Sequence, residues 1–246
     1  MNAKQAPSPL RVAWFSAGVS SAVATKLVVN EIDVIIYTHI EDQHPDSMRF
    51  VRDCEDWLGM PIQVLQSRHK SVENVVRFKR YVNSAGWAPC TELLKRQIRK
   101  EWETENSCRP LVYTWGLDCS PRECARAQSI VEAMPQQSHR FPLIEQKIDK
   151  KHAHEILKAS KIVRPKMYDL GYHNNNCVGC VKGGMGYWNK IRTDFPKVFE
   201  ARAKLERDIG YSCIKGVFLD ELDPERGRHA GPIVDDCGIM CELQAL

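Results

Sequence analysis

Ten cysteines in 246 residues, and one turn rich in serine and glycine, are the residues of this sequence best suited to chemistry. Cys177 and Cys180 form a CxxC, and Cys237 and Cys241 form a CxxxC near the C-terminus. Two such pairs can close a four-thiolate site that suits an iron–sulfur cluster or zinc. A packed turn and a redox dithiol are the competing readings of the same spacing. Cys90 opens a predicted helix rich in lysine and arginine, a position that favours the thiolate. Cys119 and Cys124 flank Asp118 and are further candidate sulfur carriers, whereas Cys54 and Cys108 read as structural or incidental.

The turn is Ser16-Ala17-Gly18-Val19-Ser20-Ser21. It follows a short apolar strand and precedes a helix, the place where open α/β sheets hold ligands. Gly18 suits a tight turn and close backbone approach. The hydroxyls of Ser16, Ser20 and Ser21, with the first helical N–H groups, can surround a phosphate. The same serines also read as ordinary helix caps. The GK[ST] ending of a Walker A loop is absent.

These residues need a frame, and the pattern of the chain supplies one. Strands are predicted at 12–15, 33–39, 62–65 and 111–115. Helices are predicted at 20–31, from Pro45 to a stop at Gly59, at 90–103 and from Pro121 to about Met134. This alternation implies βαβ units, a parallel sheet and helices on both faces. After residue 150 it weakens into a helix at 149–159, an Asn- and Gly-rich stretch at 171–186, and a long helical region at 187–209 interrupted at Pro196. The expected organisation is one nucleotide-binding α/β domain over 10–150 and a C-terminal segment, 151–246, bearing the cysteine pairs.

Composition is that of a globular protein, with 43% apolar and 27% charged residues. No apolar run approaches the roughly 20 residues that cross a bilayer, so no membrane partner is expected and the cytoplasm is the default location. Without a secretion signal the cysteines favour metal or sulfur chemistry over a disulfide framework. The net charge of +4 neither requires nor excludes nucleic acid; basic residues cluster at Arg77, Lys79 and Arg80, and at Lys95, Arg96, Arg99 and Lys100.

The turn resembles the SGGxxS signature of PP-loop ATP pyrophosphatases, in particular their PAPS (phosphoadenosine phosphosulfate) reductase-like branch. Ala17 stands where the family has a glycine, and Val19-Ser20 where many members have Lys-Asp. Other segments resemble the branch in the same order: the acidic, Pro-containing 41–47, Pro89-Cys90-Thr91-Glu92-Leu93-Leu94-Lys95 as its CTxxLK element, Trp115-Gly116-Leu117-Asp118 at a strand end, and 174–188 around the CxxC. Asp236-Cys237-Gly238-Ile239-Met240 partly resembles the Glu-Cys-Gly-Leu-His element of PAPS reductases, with Met240 in place of the histidine.

The resemblance implies an adenine-nucleotide α-hydrolase-like sheet and an enzyme that cleaves ATP between its α- and β-phosphates. The implied activity is adenylation of an acceptor for sulfur incorporation, with DNA phosphorothioate formation the nearest analogy. Ser16, Ala17, Gly18, Val19, Ser20 and Ser21 would hold the phosphates, with Gly116 and Asp118 beside them. Lys95 would neutralise charge in place of the loop's missing lysine. Asp42 would hold Mg²⁺ or contact the ribose, or else is a plain loop carboxylate. Cys90 and Cys237 are the candidate catalytic thiols. Cys177, Cys180, Cys237 and Cys241 are the candidate metal ligands, iron–sulfur being the commoner filling in the family and zinc the less common. The implied partners are an adenine nucleotide, a cysteine desulfurase as sulfur donor, and DNA or another nucleic acid as acceptor. Two alternatives stand beside this: PAPS or APS reduction through Cys237, and a non-catalytic nucleotide-binding scaffold.

Overall fold

Short runs of β-branched and aromatic residues become strands, and each ends where serine, glycine or aspartate turns the chain. The computed structural model describes residues 7–83 and 87–228. β1 (Leu10–Phe15) leads into α1 (Val19–Leu27) and β2 (Val34–His39). α2 (Asp46–Leu58), β3 (Ile62–Gln66), α3 (Val72–Lys79) and α4 (Pro89–Thr91) follow. A π-helical stretch (Glu92–Arg96) then joins α4 to α5 (Gln97–Glu105). β4 (Leu111–Thr114), α6 (Pro121–Ala133) and β5 (Ser138–Arg140) complete the sheet. α7 (Pro142–Glu145), α8 (Lys150–Ala159), α9 (Lys166–Asp169), α10 (Met185–Asp194) and α11 (Pro196–Ile209) come after it.

The expected α/β class with a parallel sheet is the one observed. The sheet has five strands in the order β3-β2-β1-β4-β5. β1 pairs in parallel with β2 and β4, and β4 with β5. The order reverses beside β1, so the gap between the carboxyl ends of β1 and β4 is the topological switch point of the sheet. β1 and β2 are buried on both faces: Val12, Ala13, Ile35 and Ile36 are fully inaccessible. Phe15 stacks on Phe50 at 6.2 Å between centroids. The edge strand β5, Ser138–Arg140, is short and polar, which blunts edge-to-edge pairing there.

Several elements differ from the sequence expectation. β5 is a fifth strand of three residues, too short to show an alternating pattern. α3, α7 and α9 have eight residues or fewer and no long apolar periodicity. The expected helix at 20–31 ends at Leu27, where Lys26 turns aside to donate to the Trp57 carbonyl at 2.5 Å. The region 187–209 does break at Pro196, which sits at the first position of α11.

The described chain divides into two compact units, each assembled from several segments. One comprises Met1–Thr38, Met48–Leu65 and Arg99–Arg164, and its core is the sheet. The other comprises His39–Ser47, Gln66–Ile98 and Pro165–Leu246. Its core is helical, built on Val75, Val76, Leu94, Met167, Trp188, Ile191 and Leu205, all 1% exposed or less.

Candidate functional site

In the sheet unit the β1–α1 turn is held by one hydroxyl. Ser21 Oγ accepts from the Ser16 N–H at 3.2 Å and from the Ser16 hydroxyl at 3.0 Å, and donates to the Gly18 carbonyl at 2.9 Å. Ser21 is only 4% exposed, so its hydroxyl shapes the loop from inside rather than reaching outward. Ser16 is exposed and Ser20 half-buried. The cap of α1 is Gly18, which has no side chain to occupy the first-turn N–H groups, and that turn carries no acidic residue. A glycine-capped helix start at the end of a central parallel strand is an anion site by its backbone alone.

The conformational demand falls on a different residue from the one expected. Gly18 is extended at φ −108°, whereas Ala17, fully buried, holds the left-handed conformation at φ +56°. Gly116 closes the other side of the switch point. A Cβ there would lie 2.3 Å from Ser21 Cα and 2.6 Å from Ser21 N, so the loop after β4 rests directly on the first turn of α1. Asp118, 7% exposed, spends one oxygen on the Ser120 N–H at 3.0 Å, a local cap two residues ahead. β4 is fixed from behind: the Trp115 indole donates to His139 Nδ1 at 3.1 Å, so Nε2 carries the ring proton and donates to the Met134 carbonyl at 2.9 Å. Burial lowers the His139 pKa and keeps the ring neutral. In the same unit, burial pushes the Cys54 thiol far up, which suits the inert role expected of it.

In the helical unit Asp42 is fully engaged by protein. One carboxylate oxygen pairs with Arg202 at 3.1 Å and the other accepts the Val72 N–H at 2.6 Å. Its carbonyl accepts from Val178, inside the CxxC, at 2.8 Å. The Tyr187 hydroxyl closes the same loop, accepting from the Cys180 N–H at 2.9 Å and donating to the Cys177 carbonyl at 3.1 Å. Cys177 and Cys180 are 7% and 3% exposed and belong to the apolar core of this unit. Cys213 belongs to the same core and Cys90, in the first turn of α4, packs against it. Lys95 lies half-buried on the π-helical stretch, a distortion that recurs at functional sites. Cys237 and Cys241 lie outside the described residues, as does Met240.

Sequence reasoning missed three residues here. Glu206, fully buried, accepts the backbone N–H groups of Cys213 and of Leu219, the latter at 2.7 Å. Burial raises its pKa against those two bonds, and burial also pushes the Cys213 thiol well up. Arg202, 5% exposed, leaves Nε and Nη1 without a hydrogen-bond partner among the described residues. Arg202 and Glu206 are four apart on the buried stripe of α11, and charged residues on such a stripe are the signal that was available. Two orphaned guanidinium donors in a buried setting suit an anionic group. No three His, Cys, Asp or Glu among the described residues gather to hold a single metal ion.

The chain matches the phosphoadenosine phosphosulfate reductase domain over residues 11–183, from β1 through the CxxC. The chain belongs to this family. It is thereby an enzyme of the nucleotide-dependent, sulfur-related class that the family comprises. Among solved structures it is similar to the phosphate complex of phosphoadenylyl-sulfate (PAPS) reductase from Candida auris, with a TM-score of 0.48 and 14% identity, over 70% of this chain and 81% of that one. No curated protein matches it. No helix among the described residues is long and apolar enough to cross a membrane.

The family's preference for glycine where this chain has Ala17 now has a physical reason. The left-handed region disfavours a Cβ by about 1–2 kcal/mol. Ala17→Gly relieves that, but loses about 0.8 kcal/mol of methyl burial and frees the unfolded chain by about 0.4–1 kcal/mol. Ala17→Gly should therefore change stability by less than about 1 kcal/mol, whereas Ala17→Val should lose more than about 2 kcal/mol in urea titrations. Gly116→Ala should displace the first turn of α1 and weaken adenine-nucleotide binding at least about tenfold by calorimetry, and unchanged binding would refute the contact's role. Asp42→Asn strands a buried guanidinium and should cost about 3–5 kcal/mol, while Asp42→Asn with Arg202→Met should recover much of it.

Proposed function

We propose that the chain is an ATP pyrophosphatase that adenylates a nucleic acid phosphate for sulfur incorporation, as in DNA phosphorothioate formation. The β1–α1 turn carries this reading. A helix start capped by Gly18, with Ser16 exposed and no acidic group in the first turn, favours a polyphosphate over a neutral ligand. Gly116 keeps the floor of that turn free of side chain.

In this reaction an acceptor oxygen attacks the α-phosphorus of ATP and pyrophosphate leaves. The acceptor oxygen then carries AMP and departs with it when a sulfur nucleophile attacks. The first-turn N–H groups and the Ser16 and Ser20 hydroxyls hold the phosphates. Lys95 would answer the charge that builds on the leaving pyrophosphate, and Mg²⁺ brought with the nucleotide would supply further positive charge. Cys90, or Cys237 where it is not a cluster ligand, presents persulfide sulfur received from a cysteine desulfurase; its outer sulfur bonds to phosphorus, and a second thiol then attacks the carrier Sγ, forming a disulfide between the two cysteines and leaving the outer sulfur on phosphorus. Cys177 and Cys180, with Cys237 and Cys241, would hold an iron–sulfur cluster, which supplies one-electron redox capacity and a fixed negative charge. The unpaired donors of Arg202 suit such a charge. Asp42 contributes by anchoring the CxxC loop rather than as an open ligand.

The family match favours a second reading, reduction of PAPS or APS with Cys237 attacking the sulfonate. One experiment separates the two. The full chain is incubated with Mg²⁺ and ATP, with and without duplex DNA and a sulfide source, and assayed for pyrophosphate. Acceptor-dependent pyrophosphate release is expected. Tighter binding of a sulfated nucleotide, with sulfite release lost in Cys237→Ser, would replace this reading by the second. Intact ATP and no sulfite in every arm would leave a nucleotide-binding scaffold.

A further inference from the structure

The three arginines Arg77, Arg96 and Arg99 of the two basic runs that stand out in the sequence are paired within the fold. Arg77 pairs with Glu73 at 2.9 Å and Asp208 at 3.1 Å, Arg96 with Glu92 at 3.1 Å, and Arg99 with Glu103. A further basic surface lies outside both runs. A cleft of about 570 Å³ opens in the sheet unit between α8 and the segment that follows it. Lys151, Lys158, Lys161 and Arg164 line it, against one carboxylate, Glu155. Glu155 meets Lys151 only at 4.0 Å with both side chains largely in solvent, a geometry that neutralises little.

The backbone under the cleft is a defined helix cap. α8 ends in paired bonds, Lys161 N–H to the Lys158 carbonyl at 2.9 Å and Ile162 N–H to the Leu157 carbonyl at 3.3 Å. This is the Schellman arrangement, in which the residue at the turn is left-handed and usually glycine. Here it is Lys161, at φ +60°. The same bonds and a left-handed lysine close α7 at Lys147, φ +57°, so the conformation alone does not mark the cleft; it fixes where the Lys161 side chain leaves the backbone. Its charge also favours the helix C-terminus.

We infer that this cleft binds the phosphodiester backbone of a duplex nucleic acid. Four cations converging on a concave surface match a polyanion with closely spaced charges. The concavity disfavours a flat membrane surface. No Phe, Tyr or Trp lines the cleft, so nothing there stacks an unpaired base, as single-strand sites require. The inference rests on the reading of nucleic acid as the acceptor, and names the surface that would hold it.

The test is binding of a labelled duplex of about 20 base pairs to the full chain, by fluorescence anisotropy at several salt concentrations, without ATP or sulfur donor. Its outcome is thus independent of the sulfur chemistry and of pyrophosphate release. Affinity should fall with salt, with a log–log slope of about −3.6, since each of four phosphate contacts contributes about −0.9. Lys158→Glu with Lys161→Glu should weaken binding at least about tenfold and make the slope shallower by about two. Lys161→Gly should weaken binding several-fold while leaving Tm unchanged or higher, which a capping role alone would not produce. The exposed pair Lys197→Glu with Lys204→Glu, with the same change in net charge, should bind like the parent. Parent-like binding by the first pair, equal loss in the control pair, displacement by stoichiometric ATP or tripolyphosphate, or equal binding to a single strand would each overturn the proposal.

Discussion

One buried hydroxyl organises the turn on which the nucleotide reading depends. Ser21 Oγ gathers the Ser16 N–H, the Ser16 hydroxyl and the Gly18 carbonyl, so strand, turn and helix start are tied at one atom. The backbone between them must then turn within two residues, which forces Ala17 into the left-handed region. The same packing leaves no room for a side chain at residue 116, because a Cβ there would overlap Ser21. A phosphate cradle made of backbone needs this rigidity: its N–H groups act as fixed dipoles only when the loop that carries them does not move.

The helical unit applies a different constraint, a buried charge that must be answered. Asp42 and Arg202 pair below the surface, and Asp42 also holds the start of α3 and the CxxC. The carboxylate is therefore a structural hub, and the two remaining donors of Arg202 sit unpaired in the unit that also buries Cys177, Cys180 and Cys213. Glu206 meets a similar demand by accepting two backbone N–H groups. Burial of this kind is costly unless matched, so the orphaned donors mark a place where an anionic group would be welcome.

Charge in this protein shows how poorly a run of like residues predicts a surface. Arg77, Arg96 and Arg99 find carboxylates one turn away or elsewhere in their own unit. Lys151, Lys158 and Lys161 line a cleft along α8, with Glu155 4.0 Å from Lys151. Sequence spacing shows that charges are present, and the fold decides which carboxylates they meet.

The sequence by itself determined the strand–helix alternation, the parallel sheet, the Gly/Ser turn after β1 and the family, because each is written in local patterns: apolar period, caps, and motifs in order. It also located the CxxC and the break at Pro196. Only tertiary structure decided which residue bears the turn's strain, why Gly116 must lack a side chain, that Asp42 is spent on Arg202, and that Cys213 shares the core of Cys177 and Cys180. β5 and the short helices belong with these, since a three-residue strand exists only through its neighbour. The physical reason is common to all: hydrogen bonds, ion pairs and exclusion contacts between residues tens to more than a hundred positions apart leave no periodicity in the chain that makes them.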